Sequence, residues 1–357
     1  MVYVGVKMLR LMNIKWKCIL GLLICSFQGQ AQDVHFSQFY ESSALRNPAL
    51  TGIFSGDYKL FADYRSQWGS FVVPYKTALF AGESKVLLNE ATRDFLSFGF
   101  TAVYDRAGSI DLTGISLYGS VNYNKSLGLN SKTYLSVGLC GGYLQRSFDI
   151  TKMQFSSQYS NGVYSATAAT NESMNWGVVR HYDVSAGVSL SGAITNKVNY
   201  YLGGAAYHVS HPTESYFDET LVRLSTRYSG NAGISANMGQ GYGLIVHFNY
   251  QYQEPYQETI GGFLISHGFH NQDNSKKVLF AAGCFYRAKD AYIPTFKIDY
   301  NSWSLTMSYD MAVAANRLYL NGFGGYEMSI SMRGNYNHKR STELKCPQFE
   351  LQDLDVE

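Results

Sequence analysis

The chain has 357 residues, of which 46% are hydrophobic, 15% aromatic and only 16% charged, with a formal net charge of +2. Soluble domains carry about 25% charged residues, and the aromatic content excludes an intrinsically disordered chain. Beyond residue 31 no apolar run approaches the roughly 20 residues of a membrane-spanning helix, which excludes a helical membrane protein. This composition predicts β structure with an apolar surface.

Residues 1–31 are predicted to be a secretory signal peptide. Basic residues precede an apolar stretch at 18–27, and a small-x-small cleavage signal ends at Ala31. The apolar stretch has the length of a signal and is too short to span a bilayer. We therefore expect cleavage after Ala31 and a mature N-terminus at Gln32. The start codon is left open among Met1, Met8 and Met12.

Removal of this segment changes the charge balance. Four of the 29 basic residues and none of the 27 acidic ones lie in it, which leaves 25 basic residues against 27 acidic. No basic stripe then remains to bind nucleic acid. The remaining cysteines are odd in number and widely spaced, which does not predict a disulfide framework. They are Cys140, Cys284 and Cys346.

The mature chain is dominated by apolar and polar residues in strict alternation. Residues 184–191 are an example, where Val, Ala, Val and Leu alternate with Ser and Gly. The polar face is mostly Gly, Ser and Asn, as expected of a lumen wall, and aromatic residues cluster near strand ends, as in interfacial girdles. We predict fourteen strands at 57–65, 77–84, 95–105, 112–123, 132–145, 183–191, 198–208, 223–237, 242–252, 258–267, 277–286, 292–300, 303–309 and 326–335.

An even strand number and the lengths of the connections favour a transmembrane antiparallel β-barrel. If the N-terminus is periplasmic, even-numbered connections are short turns and odd-numbered ones are longer loops, with 268–276 the clearest exception. Glycine pairs such as Gly203-Gly204 predict strand bends or bulges. The predicted organisation is a signal peptide at 1–31, an N-terminal plug or rim segment at 32–56, a barrel at 57–335 and a polar periplasmic tail at 336–357.

No pattern in the sequence indicates catalysis. Motifs of serine hydrolases, zinc proteases and nucleotide-binding proteins are missing from any supporting context. Histidine pairs near strand ends are read as loop residues and not as metal ligands. Several charged residues fall on the lumen face, where they form a solvated or paired network or contact a substrate: Asp63, Arg65, Arg227, Lys297, Asp299 and Arg333. We therefore expect no enzyme, no metal and no cofactor.

The N-terminal flank carries a more specific signal. The mature chain opens with Gln-Asp-Val-His-Phe-Ser-Gln-Phe-Tyr at 32–40, followed by Asn47-Pro48-Ala49, then by Tyr-Arg-Ser-Gln-Trp at 64–68 and by Pro74-Tyr75. This block resembles the start of the PorP/SprF family of type IX secretion system outer-membrane proteins. Val34 replaces the usual proline. Later elements, such as Ser308-Tyr309-Asp310 and the Cys-Pro-Gln-Phe at 346–349, resemble that family in the same order.

The resemblance implies an outer-membrane β-barrel of Bacteroidota. Such a barrel works with the type IX secretion machinery in exporting large adhesins and holding them at the surface, often in gliding motility. The implied partners are the secretion machinery, a secreted adhesin with a type IX C-terminal signal domain, and outer-membrane lipid. No catalytic residue transfers from the family.

The opening block supplies the candidate site. It either folds into the lumen as a plug, lies at the periplasmic rim as a docking site for the client, or only packs the rim. The candidate plug or partner-binding residues are His35, Phe36, Gln38, Phe39, Tyr40, Asn47, Pro48, Arg65, Gln67 and Trp68. The main functional hypothesis is a secretion-accessory barrel that binds the signal domain of an adhesin. The alternative is an outer-membrane porin or hydrophobic-solute channel, since fourteen strands leave room for a lumen.

Overall fold

The computed structural model describes residues 33–67, 73–89, 91–128, 133–160, 162–170, 177–216, 222–270, 277–313 and 324–336. The predicted signal peptide, Trp68 and the tail beyond residue 336 lie outside the described residues.

Fourteen strands of the described chain close into one antiparallel barrel, which confirms the predicted fold class and strand number. The first and last strands pair with each other, for example Leu60 with Met332, and this pairing closes the sheet. The barrel strands are β1 Tyr58–Gln67, β2 Tyr75–Asn89, β3 Asp94–Ala107, β4 Leu112–Ser126, β5 Tyr134–Ser147, β8 Val178–Thr195, β9 Val198–Tyr207, β10 Arg227–Gly239, β11 Tyr242–Gln253, β12 Tyr256–His270, β13 Lys277–Arg287, β14 Ala291–Tyr300, β15 Trp303–Ala312 and β16 Gly325–Gly334. A separate hairpin pairs β6 Tyr159–Ser160 with β7 Val163–Tyr164.

The alternation along each strand separates an apolar outer face from a polar inner face. In β5, Val137 and Leu139 are exposed outside, whereas Ser136 is fully buried inside. Tyrosines pair near both barrel ends, for example Tyr64 with Tyr326 at one end. An apolar outer band with aromatic residues near its rims is the exterior that outer-membrane barrels present to lipid. Among the described residues, no helix is long and apolar enough to cross a membrane.

The two ends of the barrel differ in their connections. One end, which we call the turn end, carries short connections such as 196–197, 240–241 and 301–302. The other, the loop end, carries the long connections 148–177, 208–226 and 313–324. In outer-membrane barrels the short turns are periplasmic and the long loops face outside the cell.

Several strands are longer than predicted. β8 begins at Val178, five residues before its predicted start, and places Arg180 on its exposed face. A strand that extends past the hydrocarbon region no longer needs apolar residues outside, so the amphipathic signal ends before the strand does. β10 starts at Arg227, four residues later than predicted, because residues 223–226 belong to the long connection before it.

Candidate functional site

Residues 34–56, which we call the luminal segment, lie inside the barrel. The segment contains one turn of α-helix, α1 (Ser43–Arg46), and a 3-10 turn at Pro48–Leu50. It starts at the loop end, where the His35 carbonyl accepts a hydrogen bond from Arg65. It ends at the turn end, where Asp57 N–H donates to the Gly334 carbonyl at 2.8 Å. The segment therefore runs from one mouth of the lumen to the other.

Glu327 on β16 holds the first part of the segment. Its two carboxylate oxygens accept the backbone N–H groups of Ser37 and Gln38, each at 2.7 Å. The Gln38 side-chain amide donates to Ser308 Oγ at 3.2 Å and accepts from Ser329 Oγ at 2.5 Å. All five residues are buried. Hydrogen bonds to an ionised carboxylate are stronger than neutral ones, so this contact fixes the segment against β15 and β16.

Two arginines complete the same cluster. Arg65 Nη2 contacts Asp310 Oδ2 at 2.7 Å, and its Nε lies 3.5 Å from Glu327 Oε2. Arg287 Nη1 contacts Asp310 Oδ2 at 3.1 Å, and its Nη2 donates to Ser37 Oγ at 2.7 Å. Each of these four charged side chains therefore has a partner of opposite sign, as buried ion pairs require.

Glu41 forms a second electrostatic contact nearer the turn end. Its carboxylate lies between Lys59 and Lys297, with N–O distances of 3.1 and 2.9 Å, and the three side chains are only 5–8% exposed. Burial by itself raises the pKa of Glu41, but Lys297 and Lys59 outweigh it and hold that pKa well below its usual value. The carboxylate therefore stays ionised at neutral pH.

Aromatic residues of the segment pack into apolar patches of the inner wall. Phe36 lies against the cluster formed by Phe61 and its neighbours on β2 and β3. Phe39 contacts a second patch on β12 to β14, with its ring 5.8 Å from Phe285 in an edge-to-face arrangement. Tyr40 stacks between Phe285 and His247 at 5.1 and 5.0 Å. These contacts bury apolar surface that a water-filled lumen would expose.

Asn47 crosses to the opposite wall. Its Nδ2 donates to the carbonyls of Val188 and Gly204 at 3.1 and 3.3 Å, and its Oδ1 caps the 3-10 turn by accepting from Ala49 N–H. A Cβ on Gly138 would lie 2.3 Å from the Pro48 carbonyl carbon, so only glycine leaves room for the turn there.

Gly203, which belongs to a glycine pair predicted to bend or bulge its strand, makes room for the segment in the same way. A Cβ there would lie 2.7 Å from Asn47 Nδ2. The register shifts of the barrel occur elsewhere, for example between Asn237 and Gly239. Pairing is continuous through Gly203 and Gly204, so the predicted bulge is wrong for this pair, while the alternative of a bend stays a prediction.

The end of the segment is held by hydrogen bonds to the other side of the barrel. Thr51 Oγ1 is 3.1 Å from Ser120 Oγ, and the Phe54 carbonyl accepts from Lys85 Nζ at 2.6 Å. A cavity of about 40 Å³ remains beside Glu41, which is room for a few water molecules. The lumen wall is thus contacted on all sides by the chain's own N-terminal segment.

The structure brings the predicted site residues to three places. Gln38 and Arg65 meet at Glu327, and His35 joins them through its carbonyl, which accepts from Arg65. Gln67 also contacts Arg65, because its amide oxygen, suitably oriented, accepts from Arg65 Nε at 2.9 Å. Phe36, Phe39 and Tyr40 pack on the wall, and Asn47 and Pro48 lie on the opposite side. Trp68 is outside the described residues.

Sequence reasoning missed the wall partners of the segment. Glu327, Asp310 and Arg287 were not among the candidates, nor was Glu41 within the segment itself. The signal was present for Glu327, because it shares the inner face of its strand with Ser329 and Arg333. Among the described residues, no group of His, Cys, Asp and Glu is placed to hold a metal ion. The arrangement can hold a polypeptide segment by many polar contacts.

Known proteins were compared with the chain by sequence and by structure. No curated protein matches the sequence. Among solved structures, the chain is similar to the CymD monoaromatic hydrocarbon channel, with 10% identity, a TM-score of 0.43 and coverage of 82% of this chain and 93% of that one. It is also similar to the toluene transporter TbuX of Ralstonia pickettii, with 10% identity, a TM-score of 0.46 and coverage of 80% and 90%.

These structural likenesses are too low to inform on function. The family model for the type IX secretion system membrane protein PorP/SprF, in contrast, matches residues 28–332. A closed barrel with an apolar exterior supports an outer-membrane location for such a protein. The match covers the luminal segment and nearly the whole barrel, so the chain belongs to the PorP/SprF family of type IX secretion system membrane proteins.

Proposed function

We propose that this protein is a non-enzymatic component of the type IX secretion system that assists secretion and surface anchoring of a large adhesin. It does so by binding the C-terminal signal domain of the adhesin, and it contributes in this way to gliding motility. It reaches the outer membrane after cleavage of the signal peptide at 1–31.

The luminal segment is the observation that carries this proposal beyond the family. A solute channel needs an open path along its axis, whereas here the wall residues Glu327, Lys297 and Asn231 are occupied by contacts to the chain's own N-terminus. We infer that residues 34–56, the described part of the predicted plug or rim segment, act as a plug. A plugged barrel of a secretion family is better suited to recognising a protein than to passing a solute.

The alternative function, a porin or hydrophobic-solute channel, requires that the luminal segment leave the pore. The buried ion pairs of Glu41 with Lys59 and Lys297 oppose this, because breaking them separates buried charges that stabilise each other.

Deletion of the gene tests the proposal. Surface proteins are released from intact cells by protease and identified by mass spectrometry, in the deletion strain and in the same strain carrying the gene on a plasmid. We expect the deletion to remove at least one type IX client from the surface and the plasmid to restore it. Unchanged export and display of every type IX client would refute the proposal.

A further inference from the structure

The luminal segment consists of two parts that are held differently. Its first part, residues 34–38, which we call the arm, lies at the loop end and is held through backbone N–H groups, small polar side chains and the ring of Phe36 in its apolar patch. Its later part, residues 47–54, which we call the anchor, is enclosed by the wall. A Cβ on Gly187 would lie 2.0 Å from Asn47 Oδ1, and one on Gly138 2.3 Å from Pro48. The anchor therefore has no room to shift, whereas no described glycine of the wall has an arm atom among its nearest neighbours.

The wall opposite the arm has the features of a peptide-binding site. The carboxylate of Glu327 accepts two consecutive backbone N–H groups, which point the same way because residues 37–41 form a turn. In an extended peptide successive residues point to opposite sides, so the site fits a turn. Asp310 accepts from a small hydroxyl side chain at 2.6 Å, and Ser308 and Ser329 pair with a side-chain amide. None of these contacts requires that the peptide be part of the same chain.

One acidic side chain of this wall is left without a hydrogen-bond donor. Asp63 is 4% exposed, and both of its carboxylate oxygens are buried without a partner. It lies against Glu327, and only a proton kept by Asp63 can be shared between the two carboxyl groups. The other oxygen of Asp63 is therefore an acceptor that the arm does not use.

We propose that this wall site binds a turn-forming segment of the secreted client, and that the arm is its resident occupant, which the client displaces. The site opens toward the loop end, where surface-exposed clients are held, and it takes a segment with consecutive backbone N–H groups and small polar or amide side chains. The anchor stays in place and keeps the lower lumen closed. This inference rests on the proposed function, because it specifies how the client is bound.

Locking the arm tests the inference. In the full chain, Gln38→Cys with Ser329→Cys joins the arm to the wall when live cells are treated with a short bis-methanethiosulfonate crosslinker, which a reductant removes. The matched control, Thr51→Cys with Ser120→Cys, crosslinks the anchor, whose two hydroxyls are 3.1 Å apart. The wild-type chain, which keeps its own cysteines, receives the same reagent.

The two locks should give opposite results. We expect the arm lock to reduce client display to the level of the deletion strain and the reductant to restore it, while the anchor lock changes nothing. Full display with the arm locked would overturn the inference and leave the proposed function intact. If the deletion strain itself displays every client, the proposed function fails instead.

A second measurement does not depend on display by the double variants. The single variant Gln38→Cys is treated from outside with a membrane-impermeant maleimide, and its labelling is compared with that of Thr51→Cys. We expect labelling of Gln38→Cys to rise in cells that secrete type IX clients over cells whose type IX translocon is inactivated, and labelling of Thr51→Cys to stay low in both. Equal labelling of Gln38→Cys in the two strains would overturn the inference.

Discussion

Replacement of Glu41 by glutamine removes the charge that balances two buried lysines. Lys59 and Lys297 keep their positions on β1 and β14, 6% and 8% exposed, but lose the carboxylate at 3.1 and 2.9 Å. Removing one partner of a buried ion pair costs about 3–5 kcal/mol. The few water molecules that fit in the adjacent cavity of about 40 Å³ moderate this cost, so we expect about 3 kcal/mol, or roughly a 100-fold change in the unfolding equilibrium.

Urea unfolding of the purified protein in detergent micelles measures this cost. The folded barrel is followed by tryptophan fluorescence and by its shifted migration on unheated gels. Asp111→Asn is the matched control, because Asp111 also lies between two basic side chains, Arg106 and Lys152, but at the surface, where ion pairs contribute little. We expect a clear fall in the urea midpoint for Glu41→Gln only. Equal midpoints for the two variants would refute the reasoning.

Three further predictions follow from the same contacts. In urea titrations, the stability difference between wild type and Glu41→Gln should be constant from about pH 8 to 5 and shrink below about pH 4. The pKa of Glu41 is depressed in the folded state, so its stabilisation is present above the unfolded pKa of about 4.3 and is lost as the pH falls through the folded pKa. A difference that shrinks already between pH 8 and 6 would contradict this. Gly138→Ala should lower the free energy of unfolding by about 1–3 kcal/mol because the new Cβ meets the Pro48 backbone. In the control Gly119→Ala, a Cβ meets nothing within 4 Å, so stability should change by less than about 0.5 kcal/mol. Equal urea midpoints for the two variants would show that the turn at Pro48 is not tightly enclosed. Asn47→Ala should cost about 2 kcal/mol through the lost cap and wall contacts, measured in the same titration, and a neutral result would show that Asn47 does not hold the segment.

The barrel could be predicted from the sequence because alternate residues of a strand face lipid and lumen, and the two environments select apolar and polar side chains. Arg65, Lys297 and Arg333 lie on the inner face, as the alternation indicates. The exact strand ends could not be predicted in this way. Arg180, for example, lies on the outer face of β8 above the apolar band, where the amphipathic pattern stops but the strand continues.

The contacts of the luminal segment could be predicted only in part. The opening block identified His35, Gln38 and Asn47 as candidates, but their partners are set by tertiary structure. Gln38 N–H binds Glu327, which lies 289 residues away, and no local pattern encodes such a pair. Gly203 was interpreted as a bend because nothing in its neighbourhood indicates that a side chain from residue 47 approaches it.

Single-channel recording tests the central claim most directly, namely that the luminal segment closes the barrel and that the protein is therefore no solute channel. The purified full chain is inserted into planar lipid bilayers and compared with a variant that lacks residues 34–56, with folding of both checked by gel migration. A fourteen-stranded wall without its plug is wide enough for ions to pass. We expect no conductance for the full chain and stepwise conductance for the variant. Steady open-channel conductance of the full chain would contradict the claim.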